Sequence, residues 1–325
     1  MKKLMGTGLL LLAVTFTVAF NYAAAQQNES RLAIGTGGTG GVWYPLGGAM
    51  ANILTKTLPN LAVTAEVTGG SVDNIKLIST GQSKLGFSMT DAAWDAQQGQ
   101  GKFKEKVSLR TLAVFYPQKN HVVTLDGNGI EKMSDLRGKR VSVGSPGSGS
   151  EIIALRVLEA YGINPDKDII KQRLGVAEAV NALKDRKIDA FIHNAATPIP
   201  AVVDLGATPN IKIRLIDHAD AVDAMNKKYG PLYSKGTLPQ KTYPGQTRDS
   251  ATVDVWAVLL TDDKMSEQGA YNIVKTLFDK KSDLMLVAKD TVYMTYENQF
   301  AGASPIPFHP GALKYFAEKG FKPKP

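Results

Sequence analysis

The chain has 325 residues, 43% of them hydrophobic, with a formal net charge of +8 and no cysteine. Without cysteine, disulfides and thiolate metal sites are excluded. The mild positive surplus is spread along the chain, which is the pattern of a solvated surface rather than a nucleic-acid footprint, and it would favour anionic small ligands.

Residues 1–25 read as a secretory signal: Lys2 and Lys3, an apolar run from Leu9 to Val14, then Ala23, Ala24 and Ala25 as the cleavage site. That apolar core is about a dozen residues long where a bilayer span needs roughly 20. Export to the periplasm with cleavage after Ala25 is expected, leaving 300 residues, enough for two domains. Loss of Lys2 and Lys3 lowers the charge from +8 to +6.

The mature chain opens with a short strand at 32–34, a glycine turn, and a helix over 42–58. Val42, Leu46, Met50, Ile53 and Leu54 recur at helical spacing, Pro45 falls in the first turn and Pro59 marks the stop. A strand over 62–67 follows, then a helix with Ser71 as N-cap and Gly81 as stop, then a buried strand over 85–88 leading to a helix after Thr90 and Asp91. Residues 112–117 make a crossing strand or hinge ending at Pro117.

Residues 141–193 repeat the opening plan: strand, glycine-serine turn, a helix carrying Ile152, Leu155 and Leu158 and stopped by Gly162, a second helix, then a strand over 188–192. The stretch after 216 is polar and loop-rich to about residue 246, by its turn-forming residues. Residues 253–260 form another buried strand, which joins the first sheet, and helices near 271–278, 282–288 and 312–319 complete the chain. The alternation predicts an α/β protein of two lobes, each a parallel-type sheet flanked by helices, joined by hinge crossings.

Gly35, Gly37 and Gly40 match the dinucleotide fingerprint G-x-G-x-x-G. The acid that should hold the ribose about 20 positions on is missing, since Glu66 lies inside its strand. No Gly-Lys-Ser/Thr ends either turn, so no P-loop is present. What remains is the physics of any glycine turn opening a helix: close backbone approach and unpaired N–H donors that suit an anion. Two such turns, one per lobe, make a cleft suited to a small carboxylate. Thr39, Ser71, Ser145, Ser148 and Ser150 would be neutral donors around it, or ordinary caps and turn residues. No nucleophile elbow or H-E-x-x-H occurs, and His121, His193, His218 and His309 are dispersed. A non-enzymatic protein without cofactor or metal is expected, although a triad assembled in space stays open at this level.

Several segments, in order along the mature chain, resemble one family. These are GTGGTGGVWYPLGG, VTGGSVDNIKLI, LGF followed by TDAAWDA, DLRGKRVSVGSPGSGSEIIALRVLEAYGI, KDRKIDAFIH, TYPGQTRD and PIPFHPGALKYFAEKG. They are similar to the TAXI-type solute receptors of tripartite ATP-independent periplasmic (TRAP) transporters. The resemblance implies a periplasmic receptor that closes on a small organic anion, glutamate or a related amino acid or carboxylate, and delivers it to a membrane permease. A sensor reporting to a signalling partner would share the same cleft. The lobes expected are 26–116 with 246–325, and 117–245.

Carried onto this sequence, the family's cleft positions are Thr39, Gly40, Gly41, Tyr44, Ser71 and Asn74, then Thr90 and Asp91. The second lobe adds Ser145, Ser148, Gly149 and Ser150, with His193, Asn194 and Thr197 after the strand that contains Phe191. The N–H groups around Gly40, Gly41, Gly149 and Ser150 would hold carboxylate oxygens, and Tyr44 would wall the cleft. Asp91 would meet a ligand ammonium or else cap its helix. Trp43 and Trp256 are assigned to the core. Met89 departs from many relatives, which carry glutamine there.

Overall fold

The computed structural model describes residues 30–321, so the expected signal segment lies outside the described residues. Among the described residues no helix is long and apolar enough to cross a membrane.

The first unit is β1 (Ser30–Gly35), α1 (Trp43–Thr57), β2 (Leu61–Glu66), α2 (Ser71–Ser79) and β3 (Leu85–Met89), followed by α3 (Thr90–Gln98). A long strand, β4 (Arg110–Leu125), leads to the second unit of β5 (Arg140–Ser142), α4 (Gly149–Ala160), β6 (Ile170–Gln172), α5 (Val176–Lys184) and β7 (Ala190–Ala195). Then come α6 (Pro200–Ala207), β8 (Ile213–Leu215), α7 (Ala221–Tyr229) and β9 (Tyr233–Leu238). A second long strand, β10 (Ser250–Thr261), returns the chain to α8 (Glu267–Asp279), α9 (Lys281–Val287), α10 (Tyr296–Gln299) and α11 (Pro310–Glu318).

The strand order β2-β1-β3-β10-β4-β7-β5-β6 reads the same from either edge: second, first and third strand of a unit, then a long antiparallel strand. Within each unit the pairings are parallel. The repeat seen in the sequence is therefore a repeat of topology. The two sheets expected are two halves of one hydrogen-bonded sheet, because β4 and β10 are long enough to run through both and pair with each other. Their ladder breaks at a register shift beside Trp256, which faces Pro117, a residue with no N–H to give.

The expected loop over 217–246 contains α7 and β9; Val222, Met225 and Tyr233 are buried there among glycine, proline and lysine that hid the pattern. Residue 71 opens α2 rather than capping it: the cap position is Gly70 at φ +116, a conformation that costs glycine little. The larger apolar core lies around Leu46, Phe87, Phe115 and Leu259, and a second, around Val141, Ile153 and Ile192, serves the second unit.

Candidate functional site

The glycine turn before α1 and the Ser145–Gly149 loop before α4 face each other across the middle of the sheet. They enclose a cavity of about 60 Å³. Gly41, Ser145, Ser148, Gly149, Ser150, His193 and Asn194 line it, so the structure brings these expected residues together. Val42, Trp43, Met89, Gln118 and Val176 also line it, and among the described residues none in the lining carries a formal charge with histidine neutral.

Three helices begin at this cavity: α1 through Val42 and Trp43, α4 through Gly149 and Ser150, and α5 through Gly175 and Val176. The first N–H groups of a helix have no partner within it. Among the described residues the N–H groups of Val42, Trp43, Gly149, Ser150 and Val176 find no acceptor elsewhere. In α4 the third is taken, because Ser148 caps the helix by accepting from the Glu151 N–H at 3.0 Å. A fourth helix start, that of α2, is occupied by protein: the Gly147 carbonyl accepts from the N–H groups of Val72 and Asp73 at 3.1 and 3.2 Å. That contact docks the loop of the second unit on the first. It favours glycine, since Gly147 sits at φ +78, where L side chains are strained, and a Cβ at Gly149 would lie 2.5 Å from the Ser71 hydroxyl and 3.1 Å from its Cβ.

Side chains add polar groups. The Ser150 hydroxyl accepts from the Asn194 N–H at 3.0 Å and lies 3.2 Å from His193 Nδ1, a contact in which either atom can be the donor. His193 Nε2 has no partner among the described residues. Burial pushes the His193 pKa down to about 4, so the ring is neutral at physiological pH. The Gln118 amide is oriented so that its oxygen accepts from Trp43 Nε1 (3.1 Å) and its nitrogen donates to the Asn194 carbonyl (3.2 Å).

The other expected residues lie elsewhere. Thr39 is exposed, and Gly40 packs on α5, where a Cβ would sit 2.9 Å from that of Ala177. Tyr44 points outward at 37% exposure; its neighbour Trp43, assigned to the core, walls the cavity instead and stacks on Phe87 at 5.5 Å. Ser71 is buried and its hydroxyl accepts from the Met89 N–H. Asn74 ties β1 to β3, donating to the carbonyls of Thr36 (2.7 Å) and Phe87 (2.8 Å). Thr90 lines a different small pocket beside Trp256. Thr197 is held by Asp290, which accepts its N–H at 2.7 Å and its hydroxyl at 3.1 Å.

Asp91 belongs to a buried cluster between α3 and α4. It lies inside the first turn of α3, whose cap position is Met89, so it is not the cap; one oxygen accepts from the Ala92 N–H at 2.8 Å and the other from the Tyr233 hydroxyl at 3.0 Å. Arg156 donates to Tyr233 (2.7 Å) and to Asp95 (2.5 Å), with its guanidinium 4.1 Å from the Tyr229 ring centre. Burial raises the Asp91 pKa, with Arg156 opposing. Its acceptors are spent within the protein, so it is no counter-ion for a ligand in the cavity. Arg156 could not be paired with it from sequence, as nothing in the spacing marks the contact.

Two α/β halves of the same topology around a shared cavity make up a two-lobed periplasmic binding protein fold. Residues 34–320 match the model of the NMT1-like family, and the chain belongs to that family, one of periplasmic solute-binding proteins. Among solved structures, an ancestral arginine-binding protein bound to arginine is 16% identical, with TM-score 0.50 over 84% of this chain and 100% of that one. A structure from work on glutathione import via GshT and the cystine ABC importer TcyBC of Streptococcus mutans is 11% identical, with TM-score 0.51 over 81% and 95%. At such identities the likeness establishes the fold.

Proposed function

We propose that this chain is the solute receptor of a TRAP-type transporter, which captures a small organic anion in the central cavity and delivers it to a membrane permease. The observation that carries the ligand reading is the convergence, among the described residues, of three helix starts with free N–H donors on a cavity lined by no anionic side chain. The TRAP assignment rests on the ordered motif resemblance from GTGGTGGVWYPLGG to the closing HPGA.

The lobes on this reading are 26–116 with the C-terminal part, and 117–245 with the first half of β10. We set the return crossing at Trp256 rather than 246, because residues 250–255 pair with β9 of the second unit. Ligand bridging both lobes has higher affinity for the closed state and shifts the population toward it. The chain then acts without catalysis or cofactor, and its partners are the anion and the permease.

Thermal melting of residues 26–325 with amino acids, dicarboxylates and oxo acids tests the binding step. An anion that binds raises the midpoint with concentration; no shift with any of them overturns the reading. Uptake of that anion into vesicles bearing a TRAP-type permease, dependent on added receptor, tests the partner, and receptor-independent uptake favours the sensor.

A further inference from the structure

The cavity's lining narrows the ligand, on the reading that this cavity is the binding site: its apolar wall of Trp43, Met89 and Val176 suits a small uncharged tail.

Charge selects further. A ligand ammonium would need a carboxylate, and none lines the cavity; Asp91, the acid expected there, is bound to Tyr233 and Ala92 and faces Arg156. A second ligand carboxylate would need a cation, and the lining has neither lysine nor arginine. Burying either charge unpaired costs several kcal/mol or more, roughly. One carboxylate is served by the N–H groups of Gly149 and Ser150 and of Val42 and Trp43 facing them.

His193 Nε2 has no partner among the described residues and offers a polar contact to a substituent at C2.

We propose that the ligand is a small monocarboxylate that carries no second charge, its carboxylate on the facing helix starts, its tail against the apolar wall and any polar group at C2 on His193.

Calorimetry on residues 26–325 at pH 7.5 compares pyruvate and 2-oxobutyrate with alanine and 2-aminobutyrate, and with 2-oxoglutarate and glutamate. At least one of the two oxo monoacids is expected to bind ten-fold or more tighter than its amino acid and than both dicarboxylates. Equal or tighter binding of an amino acid or dicarboxylate overturns the ligand class and leaves the receptor reading intact. Binding by no acid of any set removes the cavity as a site, and the class with it. Asn194→Asp puts a carboxylate at the cavity wall where Asn120 can still donate to it, and is expected to weaken oxo-acid binding at least ten-fold. Unchanged affinity in that variant contradicts the charge argument.

Discussion

Two regions join the halves of this molecule, and they are built from opposite chemistry. Around the cavity the facing surfaces are neutral and leave backbone donors unpaired. Between α3 and α4, Arg156, Asp91, Asp95 and Tyr233 are all buried and bonded to one another. A surface that binds keeps its hydrogen-bonding capacity for the guest, whereas a latch spends it internally. The two regions share one helix, since α4 offers Gly149 and Ser150 to the cavity and Arg156, two turns on, to the latch.

Breaking the latch should have the largest effect. Arg156→Ala leaves two buried carboxylates without their cation and is expected to cost about 3–5 kcal/mol of stability, read from urea denaturation. A midpoint like that of the parent would show that Asp91 and Asp95 do not depend on it. On the cavity side, Gly149→Ala drives a methyl into Met89 and Ser71, an overpacking cost of about 1–3 kcal/mol. Because the clash exists only where the loop docks, anion affinity should fall with little change in the fold's far-UV spectrum.

Proton linkage separates the regions a second way. His193 is held neutral by burial, with its pKa down at about 4, whereas the unfolded chain has an ordinary histidine near 6.5. Its stabilising contribution is full above 6.5 and is lost as pH falls from there toward 4, at about 1.4 kcal/mol per pH unit. Asp91 and Asp290 run the other way: burial raises both, so what they contribute is full below the ordinary carboxylate range and is lost as pH rises through their raised values. Comparing His193→Asn with the parent across pH 4–6.5 isolates the histidine, and the variant's stability should be flatter by that slope. Parallel profiles would mean that the ring is not buried neutral.

Smaller still, Ser148→Ala removes the α4 cap for about 1 kcal/mol, seen as a lower melting temperature. At the foot of the scale, Thr39→Ala should leave anion affinity within about two-fold, as expected of exposed surface positions. A large loss there would move the site toward the solvent side of the glycine turn.

What the sequence revealed follows from the range of each signal. Glycine turns, helix starts and apolar periods are local, and they led to α1, α4, the doubled unit and the second-lobe donors Ser148 to Ser150. Phase was harder: a helix turns about 100° per residue, so whether Trp43 or Tyr44 met the cavity depended on where α1 begins. Partnerships across the chain left no trace. Asp91 finds Tyr233 and Thr197 finds Asp290 only once the halves are assembled, and each lost its expected place in the cleft to such a partner.

The central claim is that an anion sits on backbone N–H groups from both halves at once. An amide-resolved NMR titration of residues 26–325 with pyruvate reads this directly. The account predicts the largest shifts at Val42, Trp43, Gly149, Ser150 and Val176, saturating together. Shifts confined to one of the two turns, or centred on surface lysines such as Lys104 and Lys106, would contradict it.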